Sequence, residues 1–368
     1  MSECPIDFVT NDFLGFSRST ILVNEVEKRY RAYCEQFSHA QLGASGSRAI
    51  LGPSQIQQDL EEKIAKFHNS ESAFVVHSGY MANLGLCYHI SKNTDIVFWD
   101  ESVHISVAQS LRVISGEHQA FPHNDLCALE SLLISHRAVS SGRIFIFVCS
   151  VYSFSGTLAP LEELIALSKK YNAHLIVDEA HAMGILGEEG RGLCHKWGYE
   201  NFYAVLVTYS KAMGAMGAAL LSSLEVKTEL MLSSPPLRYT TALAPHALIT
   251  IGASYDHLVL EGERARQKIF NLKAYFQKPF GLSSQCCGQP VFLRDFNMDL
   301  LTSMLDEANL RVGLMTFAHR PFIRVNFHAY NNHDEVDILV AMLHSYLEKC
   351  CCGIDVDHEL YFRREFCR

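Results

Sequence analysis

Short apolar runs recur along the chain, and stretches of helical periodicity separate them. Ala73 to His77, Ile96 to Asp100, Arg143 to Ser150, His174 to Asp178, Ala204 to Thr208 and Ala218 to Ser222 predict buried strands. Gln55 to Phe67, Asp125 to Leu133 and Leu161 to Tyr171 predict helices. Pro160 followed by Leu-Glu-Glu-Leu is a good helix start, because proline tolerates the first turn and acids favour the positive end of the helix dipole. Strands alternating with helices imply an α/β domain whose mostly parallel sheet is covered on both faces. In such sheets ligands sit outside the carboxyl ends of the strands. After Tyr255 the character changes. Leu258 to Tyr275 reads as a charged amphipathic helix, shorter elements run through Arg324, and Asp334 to Glu348 reads as a closing helix. The expected organisation is an N-terminal arm (1–40), a large domain (41–255), a smaller C-terminal α+β domain (256–352) and a tail (353–368). In the tail, Tyr361, Phe362 and Phe366 are expected to dock on the body. No internal repeat or low-complexity linker interrupts this plan.

Composition narrows the class. With 368 residues, 48% hydrophobic and 19% charged, the chain is globular and long enough for two domains. A net charge of −9 without a basic cluster argues against nucleic acid as the main partner. The 18 histidines form no His-x-x-x-His pair and the cysteines no Cys-x-x-Cys pair, so no metal is expected. Twelve cysteines are many for a reduced protein, but Cys286-Cys287 and Cys350-Cys351-Cys352 are contiguous, a poor disulfide framework. The N-terminal residues carry acids and lack an apolar signal core, and no apolar run approaches the roughly 20 residues that span a membrane. A reduced, cytoplasmic enzyme is expected.

One pair of segments carries the chemistry. Lys211 stands in Thr208-Tyr209-Ser210-Lys211-Ala212-Met213-Gly214, and 33 residues upstream Asp178-Glu179-Ala180-His181 ends an apolar run. Both fall at strand ends, so the two groups are expected to converge. A lysine framed by small and hydroxylated residues, preceded by such an acid, suits pyridoxal 5′-phosphate (PLP): the amine forms a Schiff base with the aldehyde while the carboxylate keeps the pyridine nitrogen protonated. Asp-Glu-Ala-His also resembles a helicase box, but no Gly-x-x-x-x-Gly-Lys-Ser/Thr loop exists in the chain.

Further strings follow in order: Asn11-Asp12-Phe13-Leu14-Gly15, Gly43-Ala44-Ser45-Gly46-Ser47-Arg48, Ser78-Gly79-Tyr80-Met81-Ala82-Asn83 and Asp100-Glu101-Ser102-Val103-His104. Val151-Tyr152-Ser153 with Gly156 and Ala159-Pro160-Leu161, then Gly187-Glu188-Glu189-Gly190-Arg191-Gly192, complete the series. With the Asp178 and Lys211 segments they resemble the α-oxoamine synthase family of fold-type-I PLP enzymes, from Asn11 to Arg324. The resemblance implies a large domain with a mostly parallel seven-stranded sheet, and a homodimer with shared active sites. It implies decarboxylative condensation of an amino acid with an acyl-CoA or carrier-bound acyl thioester, giving a 2-amino ketone. L-Alanine and a pimeloyl thioester are the first expectation. Another oxoamine synthase, a PLP aminotransferase or lyase, and a non-catalytic subunit of the same fold are the alternatives.

By the same resemblance Lys211 is the Schiff-base lysine and base, Asp178 the partner of the pyridinium, and His104 the ring stacked on the cofactor. His181 would reach the phenolic oxygen, and Ser153 the ring region. Gly79 and Tyr80 would offer backbone amides, and Thr208 a hydroxyl, to the phosphate. Thr240 and Thr241 match a segment that crosses to the partner's phosphate. Arg324 would grip the amino-acid carboxylate, with Asn11 and Ser47 lining the substrate mouth. The chain departs from the family pattern at Cys149, Ser155 and Thr157, where carboxylates are usual, and at Gln57, where a histidine is usual. A substrate-binding arginine of the N-terminal arm is missing or replaced by Arg18.

Overall fold

The computed structural model of the chain describes residues 4–36, 42–91, 94–112, 116–317, 320–350 and 352–355. The strands are β1 (Ile6–Phe8), β2 (Ser72–Val76), β3 (Ile96–Asp100), β4 (Glu117–Phe121), β5 (Ile144–Cys149), β6 (Ala173–Asp178), β7 (Ala204–Thr208), β8 (Ala218–Ser222), β9 (Gly288–Leu293), β10 (Leu310–Phe317), β11 (Arg320–Asn326) and β12 (Ile354–Asp355). The helices are α1 (Thr20–Gln36), α2 (Arg48–Leu51), α3 (Gln55–His68), α4 (Gly79–Ile90), α5 (Ile105–Arg112), α6 (Leu126–Arg137), α7 (Leu161–Lys170), α8 (Leu224–Ser233), α9 (Pro235–Arg238), α10 (Pro245–Gln277), α11 (Met298–Glu307) and α12 (His333–Cys350).

Seven strands form one sheet in the order β2-β8-β7-β6-β5-β3-β4. Each neighbouring pair from β7 to β4 is parallel, and β8 alone runs against its two neighbours. The expected fold-type-I sheet is therefore present. Its central strands β5 and β7 are buried at every position, which is why they read as unbroken apolar runs. Pro160 caps α7, with Glu162 and Glu163 in the first turn and Lys169 and Lys170 in the last, matching the helix dipole at both ends.

A second sheet, β1-β10-β11-β9-β12, gathers the C-terminal strands. Its edge is the N-terminal strand: Ile6 to Phe8 pairs in parallel with Leu310 to Val312. The α10 helix is continuous from Pro245 to Gln277 and so runs through residue 255. At the other edge Ile354 and Asp355 pair with Leu293 and Phe292. The expected docking of Tyr361, Phe362 and Phe366 lies outside the described residues, as do the ends of the arm at 1–3 and 37–40. Among the described residues no helix is long and apolar enough to cross a membrane.

Candidate active site

The strand ends of the large sheet meet at a cavity of ≈ 240 Å³. Cys149 closes β5, Asp178 closes β6 and Thr208 closes β7, and all three line it. Gly79, Tyr80, His104, Ser153, His181 and Lys211 line it as well, so eight of the predicted site residues share one space with Cys149. A larger, more open cleft of ≈ 510 Å³ lies among Asn69, His174, Tyr199 and Ser222, but it collects none of the predicted site residues.

Lys211 follows β7 by a tight turn and stands half-buried. Desolvation, helped by the positive Arg324 and opposed by Asp178, brings its amine down to about 8. At that value a large share of the amine is the free base at mildly alkaline pH. Asp178 is buried, and its carboxylate accepts from Ala180 N at 2.9 Å and from Asn83 Nδ2 at 3.1 Å. His181 is held well below the usual histidine range by burial, then by Lys211 and Arg324. Its ring lies 6.4 Å from that of Phe13, tilted by 59°. His104 is lowered by burial and by Lys211, against the pull of Asp178.

The other end of the cavity suits an anion. Ser78 caps α4, its hydroxyl accepting from Met81 N at 3.2 Å. The N–H groups of Gly79 and Tyr80 open the helix and have no place in its internal ladder. Thr208 Oγ1 is buried without a partner among the described residues. Only glycine fits at position 79, since a Cβ there would lie 2.6 Å from Thr208 Cγ2. A buried hydroxyl without a partner, two first-turn amides, a desolvated lysine and a buried carboxylate fit the phosphate, aldehyde and pyridine nitrogen of PLP.

Arg324 does not line the cavity but sits beside it on β11, close enough to depress both Lys211 and His181. Asn326 Oδ1 accepts from its Nε at 3.1 Å and Asn11 Oδ1 from its Nη2 at 2.9 Å. Nη1 has no partner among the described residues. Thr240, Thr241 and Ser47 lie elsewhere: Thr241 pairs with Ser47 in an isolated antiparallel bridge, and both threonines border a small pocket with Gln57 and Arg48. Arg48 is engaged by the buried Glu61, with Nη1–Oε1 at 2.7 Å. Arg18 also faces away; it pairs with Asp7 and stacks over Tyr330 at 4.1 Å.

Sequence reasoning did not single out Cys149, Ser102, Ser210 or Asn83 as site residues, yet all four line the cavity. For Asn83 a signal existed, its place in the Ser78–Asn83 string. Of the departures from the family pattern, Cys149 faces the cavity, whereas Ser155 and Thr157 turn into a buried network. Thr157 Oγ1 lies 2.6 Å from Ser155 Oγ and 2.8 Å from His123 Nε2, and His123 Nδ1 lies 3.0 Å from Asp100 Oδ1.

Comparison with known proteins agrees with this geometry. The family model for aminotransferase class I and II matches residues 5–343. An 8-amino-7-oxononanoate synthase of Geobacter sulfurreducens is 34% identical over 270 residues, covering 73% of this chain and 67% of that one. The enzyme of the same name from Emericella nidulans is 31% identical over an alignment of 376 residues, covering 94% and 90%. Among solved structures, the serine palmitoyltransferase of Sphingomonas wittichii superposes with a TM-score of 0.83 at 26% identity, covering 94% of this chain and 88% of that one. A fold-type-I sheet with a lysine and a carboxylate at its strand ends defines a PLP enzyme, and the chain belongs to the aminotransferase class I and II family. Within it the chain is an α-oxoamine synthase, a PLP-dependent acyltransferase most like the 8-amino-7-oxononanoate synthases.

Proposed function

We propose that the chain condenses L-alanine with a pimeloyl thioester, releasing the carrier thiol and CO2 and giving 8-amino-7-oxononanoate. The observation that carries the chemistry is the Lys211 amine at about 8 beside the buried Asp178, with Arg324 near enough to be felt by it. Bound in this cavity, PLP supplies an aldehyde for amines to exchange on and an electron-poor ring that takes up negative charge developing at the substrate Cα. Asp178 would sustain that capacity by pairing with the ring nitrogen. Lys211 removes the Cα proton as a neutral amine, which burial makes available at moderate pH. Arg324, steadied by Asn11 and Asn326, holds the amino-acid carboxylate through its remaining donors. His104 would stack on the ring, His181 would reach the phenolic oxygen and Ser153 the ring region, and Gly79, Tyr80 and Thr208 would hold the phosphate.

The choice of alanine and pimeloyl rests on the names of the curated relatives. Arg18 favours a second reading within the family: paired with Asp7 and stacked on Tyr330, it is not free to meet the distal carboxylate of a pimeloyl chain. An uncharged acyl chain, as the serine palmitoyltransferase neighbour uses, would need no such cation. We also propose a homodimer in which Thr240 and Thr241 reach the partner's phosphate. A reducing, cytoplasmic setting agrees with the free thiols of all ten cysteines among the described residues.

The test loads the protein with PLP and follows thiol release across glycine, alanine and serine, each with acetyl-, pimeloyl- and palmitoyl-CoA. Release that needs Lys211 and peaks with alanine and pimeloyl-CoA is expected. A peak with serine and palmitoyl-CoA would replace the first reading with the second, and no release from any pair would overturn both for CoA donors.

A further inference from the structure

We propose that Asn83 and Ser106 are positioning residues that fix His104 as the neutral tautomer with its proton on Nε2 and bracket its ring to the Asp178 carboxylate. The inference rests on reading this cavity as the PLP site, but not on which amino acid or acyl group is used. Asn83 is buried on the second turn of α4 and Ser106 is fully buried at the start of α5. Neither is among the residues that the chemistry above employs.

The direction of every bond in the bracket follows from one end. A carboxylate can only accept, so the amide must turn its NH2 toward Asp178, and Asn83 Nδ2 donates to Asp178 Oδ2 at 3.1 Å. The second proton of that nitrogen goes to Ser106 Oγ at 2.9 Å. Ser106 Oγ has then accepted, and its own proton has one other neighbour, His104 Nδ1 at 2.8 Å. The Ser106 backbone N–H converges on the same ring nitrogen at 3.3 Å. Two donors aimed at Nδ1 require a lone pair there, so the proton of the neutral imidazole sits on Nε2. Burial and the charge of Lys211 oppose a second proton, while Asp178 pulls the other way. The bracket thus couples the group beneath the pyridine nitrogen to the ring expected on the cofactor face. Turning the imidazole over would face Cδ2 to Ser106 and lose both bonds. His104 itself stands open to the cavity.

The bland reading is that an asparagine and a serine merely satisfy one another inside the protein, and a tautomer measurement separates the two. Protein labelled with 15N at histidine is recorded with long-range 1H–15N correlation, both without cofactor and loaded with PLP. The His104 pattern is identified by its absence in His104→Gln. In wild type, Nδ1 is expected to be unprotonated and Nε2 protonated near neutral pH in both states. In Ser106→Ala the backbone N–H of residue 106 still faces Nδ1, so the preference for a proton on Nε2 weakens rather than disappears, and the protonation midpoint moves up because the hydroxyl donor is gone. Asn83→Ala gives a tautomer mixture, since Ser106 Oγ is then free to accept from a protonated Nδ1. Both variants, checked for folding by circular dichroism, are expected to lose about three- to tenfold in kcat with a smaller change in KM. A proton on Nδ1 in wild type would overturn the proposal. So would an unchanged tautomer and titration in Ser106→Ala, which removes one small oxygen and is the safer fold. Loss of condensation with every donor, but with the expected tautomer pattern, would instead count against the substrate reading alone.

Discussion

Lys211 is stabilised as a free amine at a cost to the fold, and the sign of that cost can be worked out. Its amine falls from 10.5 to about 8 on folding, first because of burial. Between those values the unfolded chain binds a proton that the native chain does not, so native stability rises with pH across this window. Below pH 8 the full penalty is present. Lys211→Met without cofactor is therefore expected to be more stable than wild type at pH 7, by on the order of 2 kcal/mol. The difference should fade toward pH 10.5. Urea unfolding of both apo proteins at the two pH values checks this, and a constant difference would refute it. The same variant should lose thiol-releasing activity by about 10³-fold or more. Lys211, Asp178, His104 and His181 were legible in the sequence because each is a chemically distinctive residue at a strand end or in a recognisable string. Ser106 was not, since a serine in a helix is ordinary until its hydroxyl is seen between a histidine and an amide. Arg18 was misleading for the same reason: its charge is visible in sequence, but its pairing with Asp7 is a tertiary event.

Two elements around the site are held by polar groups whose loss has calculable direction. Glu179 follows β6, is fully buried, and accepts from Leu193 N at 2.6 Å and Cys194 N at 3.1 Å, tying the 187–194 segment to the strand end. Gly192 is pressed so closely against it that a Cβ there would lie 2.1 Å from Glu179 Oε2. Burial raises its carboxyl from 4.5 to about 7, so the native state keeps a proton in that window that the unfolded state releases. Its contribution is complete below pH 4.5 and is lost as pH rises through 7. Glu179→Gln keeps an acceptor for the two amides and does not titrate. Its stability relative to wild type should increase from pH 4.5 to 7 by about 3 kcal/mol, read by thermal melts at a series of pH values. In the 149–157 turn, Thr157→Val deletes the hydroxyl between Ser155 and the buried His123. A cost of about 1–3 kcal/mol in urea unfolding is expected, and an unchanged midpoint would mean that His123 finds another partner.

The same scale explains which elements the pattern disclosed. β5, β6 and β7 are apolar because both faces are covered, and their predicted limits lie within two residues of the observed ones. β4 escaped because it is the sheet edge, with Glu117, Gln119 and Ala120 exposed in place of an apolar run. α4 escaped for the opposite reason: Ala82, Gly85, Leu86, Cys87 and Ile90 bury several of its faces and leave no amphipathic period.

At the scale of the whole molecule, Thr240 and Thr241 pose the sharpest question, because they lie outside the cavity that the other cofactor-binding positions share. Exposed apolar side chains stand in the 42–50 segment that pairs with them and beside them in the chain. Tyr239 is 65% exposed, Ile50 82% and Leu42 87%, and Ala242 N bonds Gly46 O at 2.8 Å to fix the segment against that rim. A patch of that kind is expected to be covered, and a second copy would bring its own Thr240 and Thr241 toward the first copy's Gly79 and Thr208. If the sites are shared, Lys211→Ala and Thr240→Val/Thr241→Val should complement one another when unfolded and refolded together. In a mixed dimer one site then carries both defects and the other carries none. Random pairing makes half of the dimers mixed, so about a quarter of wild-type activity should return, from parents that are each far less active. Sedimentation should give about twice 41.4 kDa for every sample. If the threonines served only their own subunit, each mixed dimer would hold two damaged sites, and activity would stay at the average of the parents.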